Sequence, residues 1–575
     1  MRPQTSESAP EGRPPQWNGV GQALALSALA LLAWLPSALG AGFAFDDREA
    51  IEHNPLVEGA LSWTAAFQQD YWEHRGAAGH FRPLSSLSLR FDRALWGESG
   101  TGFHATNIAL HLLVVFVAAL LARRLFSRAE HWPWIGVALF AVHPVLADSV
   151  AWISGRSSML AALPGLCAAW CIARDDAKTT RERGAWVELF VLGALGTGLA
   201  ALGKEDGLLW ALALPCLAAR RGHRALVATS AGCLLGAGTL FLLRANALGS
   251  GWISAPHAPL AAAALDERLL VGGRAVVEAL RLVAWPANYA PSYAGDPAFS
   301  LHALRAAPTL GILGLCAWLV ALVTASVSCL RRRTLVNVCT TLTLLAWLPF
   351  LQIVPAGEVF APRFLYLPLL FAIPLLSAGM ERVFARRTQL VLVLLISLAI
   401  GAAWTRGRVY SSRGAYREAV LAMRPEDVPS WNDLGLYYEE KGELERAKKT
   451  WLHATTLDSH YSRAWSNLGR VQLSEGHPEA AVTLLERAVL EGPKNAIAHL
   501  NLASARMATK DSRGAEMSYR EAIRMAPGLA QAWEGLARSL NAQARVREAH
   551  AAAARWLELS PGDARALEFI ATLAR

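Results

Sequence analysis

Residues 19–43, GVGQALALSALALLAWLPSALGAGF, contain an apolar run of roughly 20 residues, the length that crosses the hydrocarbon core of a bilayer as a helix. Comparable runs near 105–122, 132–152, 158–173, 185–203, 206–219, 225–243, 308–330, 334–352, 364–380 and 388–405 bring the expected number of spans to about eleven. The stretch 269–286 differs, because Arg274, Glu278 and Arg281 lie along it, and it reads as an amphipathic helix at the membrane surface. SALGAG, at the end of the first run, has the small residues of a signal-peptide cleavage site. The run is longer than a usual signal sequence and many spans follow, so a retained first helix is expected.

The apolar runs stop near residue 405. At 53% hydrophobic residues and a mean hydropathy of +0.27, the chain is too apolar for two soluble domains and too charged to lie wholly in lipid. The remainder repeats itself every 34 residues: VPSWNDLGLYY, SRAWSNLGRVQ, AIAHLNLASAR and AQAWEGLARSL open successive units near 428, 462, 496 and 530. Trp431, Trp465, His499 and Trp533 share one position, Ala447, Ala481, Ala515 and Ala549 another, and Ala454, Ala488 and Ala522 a third, while Pro493, Pro527 and Pro561 close units. Period and pattern resemble the tetratricopeptide repeat, a helix-turn-helix unit with small residues at its helix contacts. The expected fold is all-α: a polar tail at 1–17, a polytopic membrane bundle at 18–405 with long loops at 43–104 and 244–307, a linker at 406–427, and an α-solenoid of four repeats at 428–575.

Trp and Leu in the repeats are packing residues. The sixth position is different. Asp433, Asn467 and Asn501 recur there, on the expected inner face of successive first helices, where an amide side chain can bond an extended peptide backbone without reading its sequence. Asn is also a plain choice before Leu-Gly in such repeats.

Arginine clusters give an orientation. Arg123, Arg124 and Arg128, then Arg174, Lys178, Arg181 and Arg183, then Arg220, Arg221 and Arg224, then Arg331, Arg332 and Arg333, then Arg382, Arg386 and Arg387 fall on one side of this topology, which the positive-inside rule makes cytoplasmic. The N terminus is then inside, and an odd number of spans puts the two long loops and the repeats outside. The Arg- and Ala-rich chain suits a bacterial inner membrane with a periplasmic repeat domain. The seven cysteines sit in or beside apolar helices and imply no disulfide framework; Cys167 and Cys171 read as small buried thiols.

Ionisable residues are costly in a bilayer, so those at span ends are candidates for function. The outer side collects Asp46 and Asp47 just after the first run, Arg82 and Arg90 in HFRPLSSLSLRF, His143, Asp148 and Arg156 in FAVHPVLADSVAWISGRSSML, Lys204, Glu205 and Asp206 in GKEDG, and Glu358 and Arg363 in PAGEVFAPRFLYLP. A first span followed by FDD, then FRPL, FHATNIALH, HPV and SVAWISGR, KED and RFLYLP, ending in tetratricopeptide repeats, resembles the transmembrane and tetratricopeptide repeat O-mannosyltransferase-like proteins of the membrane-embedded C-superfamily of glycosyltransferases. The resemblance runs over nearly the whole chain. It implies transfer of a sugar, a hexose such as mannose, from a polyprenyl-phosphate donor to a protein Ser/Thr hydroxyl on the outer face, with an acid of the first outer loop as base.

The chemistry agrees. A carboxylate of the Asp46–Asp47 pair can take the proton of the attacking hydroxyl, with Asp46 preferred and the other acid orienting the acceptor. Either also fits the N-cap of the helix expected at DREAIEHN. Arg82 and Arg363 suit the departing lipid phosphate, although an arginine at a helix end also snorkels to the interface. His143, Arg156, Lys204 and Glu205 form a possible additional site. His143, Asp148 and the acid pair offer metal ligands without a tight spacing, so no metal is expected and the donor is the only co-substrate, with divalent metal left open. Expected partners are membrane lipid, the lipid-linked sugar and a protein or peptide acceptor, with no nucleic acid. A transporter would be expected to show repeat symmetry among its spans, and none is visible. A non-catalytic scaffold recruiting partners through its repeats needs one span, not about eleven with charges.

Overall fold

A computed structural model of the chain describes residues 19–73, 79–126, 132–174, 183–249, 260–287, 289–291, 293, 299–332, 334–354, 358–384 and 388–573. The polar tail at 1–17, and Arg128, Lys178, Arg181, Arg333, Arg386 and Arg387 of the orientation argument, lie outside the described residues. All regular structure among the described residues is helical, and the chain forms two compact units, Met1–Tyr416 and Arg417–Arg575.

The first unit is that of an integral membrane protein, and fewer of its described helices reach membrane length unbroken than hydropathy suggests. Among the described residues, Gly19–Ser37, Gly100–Leu125, Gly184–Gly203, His223–Leu248, Thr309–Arg332 and Gln389–Arg408 are long and apolar enough to cross a membrane. A seventh candidate is the pair Pro362–Phe371 and Ile373–Val383, bent by 74°. The expected count of about eleven is not confirmed by helix length among the described residues. Hydropathy counts apolar residues and not helix continuity: Trp132–Val142 stops ahead of Pro144, Trp210–Ala218 is only 9 residues long, and Leu335–Leu345 gives way to a short 3₁₀ turn at Leu348–Leu351 that contains Pro349. These short apolar helices add buried side chains such as Phe140, Leu214 and Phe350 to the interior of the unit.

Small residues let the long helices approach closely. A Cβ on Gly232 would lie 2.0 Å from the Phe190 carbonyl oxygen, and one on Gly236 would lie 2.4 Å from that of Ala194, so Gly184–Gly203 and His223–Leu248 pack backbone to backbone. The amphipathic stretch near 269–286 is the helix Leu265–Ala284, whose Gly272 and Gly273 face Leu351 and Gly311. The expected linker is largely helical: the last span reaches Arg408, and a separate helix covers Arg413–Met423.

The second unit is a run of helix pairs. First helices begin at Val428, Ser462, Ala496 and Ala530, second helices at Leu444, Pro478, Ser512 and Val546, and a last helix, Ala564–Leu573, covers the end. Ala447, Ala481, Ala515 and Ala549, and likewise Ala454, Ala488 and Ala522, are completely buried, which is what a helix contact requiring a small side chain demands. The aromatic position does more than pack. Trp431, Trp465, His499 and Trp533 each direct a ring nitrogen at the carbonyl six residues earlier, at 2.7–3.2 Å, and so close the turn that enters each pair. The turn inside each pair needs a left-handed residue, and Gly442, Gly476, Lys510 and Ala544 supply it with φ of 77°, 83°, 65° and 60°.

Candidate active site

Between the first two long helices the chain turns sharply at Ala44–Asp47. Phe45 has φ 46°, a left-handed conformation that costs a non-glycine residue about 1–2 kcal/mol. Its ring stacks on Tyr416 with centroids 4.7 Å apart and leans on Trp152 at 5.6 Å. Each such aromatic pair contributes about 0.5–1.5 kcal/mol, so the two together offset the backbone strain.

The turn sends the adjacent aspartates in opposite directions. Asp47 is fully buried: Oδ2 accepts the Ala44 N–H at 3.1 Å, and Oδ1 accepts the Ser154 N–H at 3.0 Å and the Ser154 hydroxyl at 2.8 Å. Burial raises its carboxyl to about 7, against the opposite pull of those bonds. Asp46 takes the N-cap position of the short helix Asp47–Ile51 without making a side-chain cap bond, and it lines a cleft of about 580 Å³. Only the first acid of the doublet reaches the space where a reaction can occur.

Four segments bring opposed charges to the same cleft. Arg82 precedes the helix Pro83–Trp96, which starts on Pro at its first turn, and its guanidinium meets Glu205 at 3.0 Å. Glu205 also lies 3.7 Å from His80 and 3.7 Å from Arg244. Burial alone would raise the Glu205 carboxyl, but Arg82 and His80 hold it well below the usual range. Lys204 pairs with Asp206 at 2.9 Å and donates to the Ser158 hydroxyl at 3.1 Å; burial lowers its pKa, and Asp206 opposes the shift. Arg363 pairs with Glu358 and lies 4.8 Å from the Trp152 ring centroid. The glycines of GKEDG allow this turn to fold back, since a Cβ on Gly207 would sit 2.4 Å from the Ala200 backbone.

Apolar residues line the same cleft: Leu208, Leu209, Leu240, Phe241, Leu367 and Pro368. Phe241 is 41% exposed and belongs to the membrane-length helix His223–Leu248, so this lining continues onto the outer surface of the bundle.

Other expected site residues stand elsewhere. Arg156 is fully buried and pairs with Asp92 at 2.6 Å, both side chains 0% exposed, while its Nη2 donates to the Phe103 carbonyl at 3.1 Å. His143 caps the turn at Pro144–Leu146, accepting the Val145 N–H at 3.3 Å, and its Nε2 donates to the Val283 carbonyl at 3.1 Å. Asp148 accepts a bond from the Tyr410 hydroxyl, and Arg90 lies over the Trp63 ring at 4.3 Å. Arg156, His143, Asp148 and Arg90 do not line the cleft, and Asp47 does not either. The SGRSS segment fixes several of these groups: Ser154 holds Asp47, Arg156 holds Asp92, and Ser158 holds Lys204, while Ser154 and Ser157 line the cleft.

In the repeats, Asp433 pairs with Arg417 at 2.6 Å. Asn467 donates to the Asn432 side chain at 2.9 Å and Asn501 to the Ser466 hydroxyl at 3.0 Å, each 35 residues back. These amides tie one repeat to the next, so their N–H groups are engaged within the unit.

His80, Arg244 and Trp152 are the cleft residues that sequence reasoning passes over. Arg244 carries a usable signal, a lone arginine near the end of a membrane-length apolar helix. His80 carries none. Among the described residues no group of three His, Cys, Asp or Glu is placed to hold a metal ion.

Tetratricopeptide repeat family profiles match residues 428–461 and 466–530. The second unit is a tetratricopeptide repeat domain. The chain is 31% identical over 193 residues to protein O-mannosyl-transferase TMTC2 of Mus musculus, a match covering 32% of this chain and 22% of the mouse protein. It is 37% identical over 139 residues to protein O-mannosyl-transferase Tmtc2 of Drosophila melanogaster, covering 23% of this chain and 14% of the fly protein. The match to the mouse and human relatives thus spans about a fifth of their length, 22% in each. Among solved structures, MamA is 22% identical with a TM-score of 0.24, covering 28% of this chain and 94% of MamA.

Proposed function

We propose that the chain is a membrane glycosyltransferase that moves a hexose, mannose in the first instance, from a polyprenyl-phosphate donor to a Ser or Thr hydroxyl of a protein acceptor. One observation carries the reading: Asp46, Arg82, Lys204, Glu205 and Arg363 converge on a single cleft that apolar residues also line. The names of the relatives add support for the sugar and the acceptor class.

In this reaction the acceptor hydroxyl attacks the anomeric carbon and gives its proton to Asp46, while the bond from that carbon to the phosphate oxygen breaks. The lipid phosphate leaves with its negative charge, which Arg363, Arg82 and Arg244 are placed to stabilise with directed N–H donors. The apolar lining around Leu240 and Phe241 suits the first isoprene units of the donor, whose burial removes hydrocarbon from water. Charge stabilisation comes from these side chains, so no metal is invoked and transfer should survive chelation.

The cleft is assigned to the outer face, with the N terminus in the cytoplasm and the repeats in the periplasm of a bacterial cell. A reporter active only in the periplasm, fused after Arg575, checks the orientation. The repeats take the polypeptide acceptor; Asn467 and Asn501 keep successive repeats in register for it, and Asp433 ties the first repeat to the helix before it.

The deciding experiment incubates the purified full chain with labelled undecaprenyl-phosphate mannose, the corresponding glucose donor and a mixture of Ser/Thr peptides, followed by mass spectrometry. Hexose on peptide hydroxyls, lost in Asp46→Asn, is the expected result. Donor binding without any transfer, in wild type as in the variant, would reject the enzyme reading.

A further inference from the structure

We propose that Tyr416 is a positioning residue for transfer: its ring, stacked on Phe45 and through Phe45 against Trp152, keeps Asp46 and Arg363 in register. The proposal rests on the reading of Asp46 as base and Arg363 as donor contact. The chain of contacts is continuous. Tyr416 lies on Phe45 at 4.7 Å with planes 20° apart, Phe45 on Trp152 at 5.6 Å, and Trp152 beneath the Arg363 guanidinium at 4.8 Å. Phe45 is the residue directly before Asp46 and is held at φ 46°, which a phenylalanine adopts only when its surroundings impose it. Phe45 and Trp152 therefore lead to the two groups whose separation sets the attack geometry, and Tyr416 packs on the first of them.

The segment that ends in Tyr416 is itself anchored. The Ser411 carbonyl accepts the Gly42 N–H at 2.7 Å, four residues ahead of Asp46, and the Tyr410 hydroxyl is bonded to the buried Asp148. Tyr416 is 1% exposed, and neither it nor Phe45 lines the cleft, so neither touches substrate and any effect on transfer must pass through Asp46 and Arg363. A misplacement of about 1 Å at reacting groups costs on the order of a hundredfold in rate, which makes such a brace consequential.

The test uses the full chain in detergent, with undecaprenyl-phosphate mannose as donor and two variants, Tyr416→Leu and Tyr416→Phe. Tyr416→Leu should lower kcat at least tenfold with the donor KM within twofold, and Tyr416→Phe, which keeps the stack, should restore kcat to within about twofold of wild type. Hydrogen exchange at the amides of residues 42–48 gives a readout that needs no activity: it should quicken at least tenfold in the Leu variant and not in the Phe variant. Phe45→Leu serves as a second variant, with the same expected loss, where Tyr416→Leu fails to fold. Unchanged exchange, or equal losses in the Leu and Phe variants, overturns the proposal. Full transfer by Asp46→Asn, with quickened exchange in Tyr416→Leu, would instead fault the assignment of the base and leave the brace standing.

Discussion

The two units of this protein handle charge in opposite ways. In the repeats, ion pairs such as Arg524–Glu521 and Arg555–Glu558 lie one turn apart on the same helix, three residues away in sequence and open to solvent. In the membrane unit, Arg156–Asp92 is completely buried, Arg82 reaches Glu205 across 123 residues, and Tyr410 reaches Asp148 across 262. Exposed pairs contribute little because water already solvates both partners, whereas a buried charge that loses its partner has nothing to replace it. The repeats thus use charge as a surface, and the membrane unit uses it as internal framework and as the floor of a cleft.

Cutting one partner from each kind of pair tests that contrast most severely. Arg156→Met leaves Asp92 buried without its cation and should cost about 3–5 kcal/mol, read as loss of the detergent-stable folded fraction, while Arg156→Met with Asp92→Leu should recover much of it. The matching cut in the repeats, Arg470→Ala, opens a part-exposed pair with Glu439 and should cost no more than about 1 kcal/mol in thermal unfolding. Near-equal losses at the two sites would erase the distinction.

A second contrast lies inside the acid doublet. Asp46→Asn should reduce kcat about a hundredfold or more, because the residue lines the cleft. Asp47→Asn should act on stability instead, since an amide NH₂ would oppose one of the donors now aimed at the carboxylate.

The same residue gives a pH dependence of known sign. The folded state holds the Asp47 proton up to about 7, from an ordinary 3.8, so its contribution to stability is full below 3.8 and is lost as the pH rises through 7. Unfolding midpoints in detergent between pH 4 and 8 should fall in the wild type and flatten in Asp47→Asn. The smallest effect belongs to the repeats. Ala544 sits at φ 60°, where the equivalent residues of two other repeats are glycines, so Ala544→Gly should stabilise the repeat unit by about 0.5–1 kcal/mol, visible as a rise in its unfolding temperature.

The repeats were legible because their contacts are local and periodic. A buried Ala at 447 predicts one at 481, 515 and 549, and each is completely buried. The hydrogen bond from the Trp431 ring to a carbonyl was not legible, since packing and bonding leave the same aromatic in sequence. In the membrane unit the charged motifs were visible as motifs, but hydropathy merged broken helices into spans, because it does not register that Pro144 ends one helix while its apolar neighbours continue.

Composition and period were enough to determine an all-α chain in two parts, apolar helices of membrane length followed by a 34-residue repeat, and to mark Asp46, Asp47, Arg82, Lys204, Glu205 and Arg363 as charges that need a reason. Folding settled which of them share a space. Asp46 and Asp47 are neighbours of the same chemical type, and a left-handed turn at Phe45 turns one to the cleft and seals the other against Ser154. Arg156 and Arg363 look alike in sequence, yet one meets a buried aspartate and the other the cleft. The physical reason is range. Helix formation and repeat packing depend on residues a few turns or one repeat apart, which sequence spacing records, whereas the cleft depends on groups brought together from separate segments, such as Arg82 and Glu205, 123 residues apart.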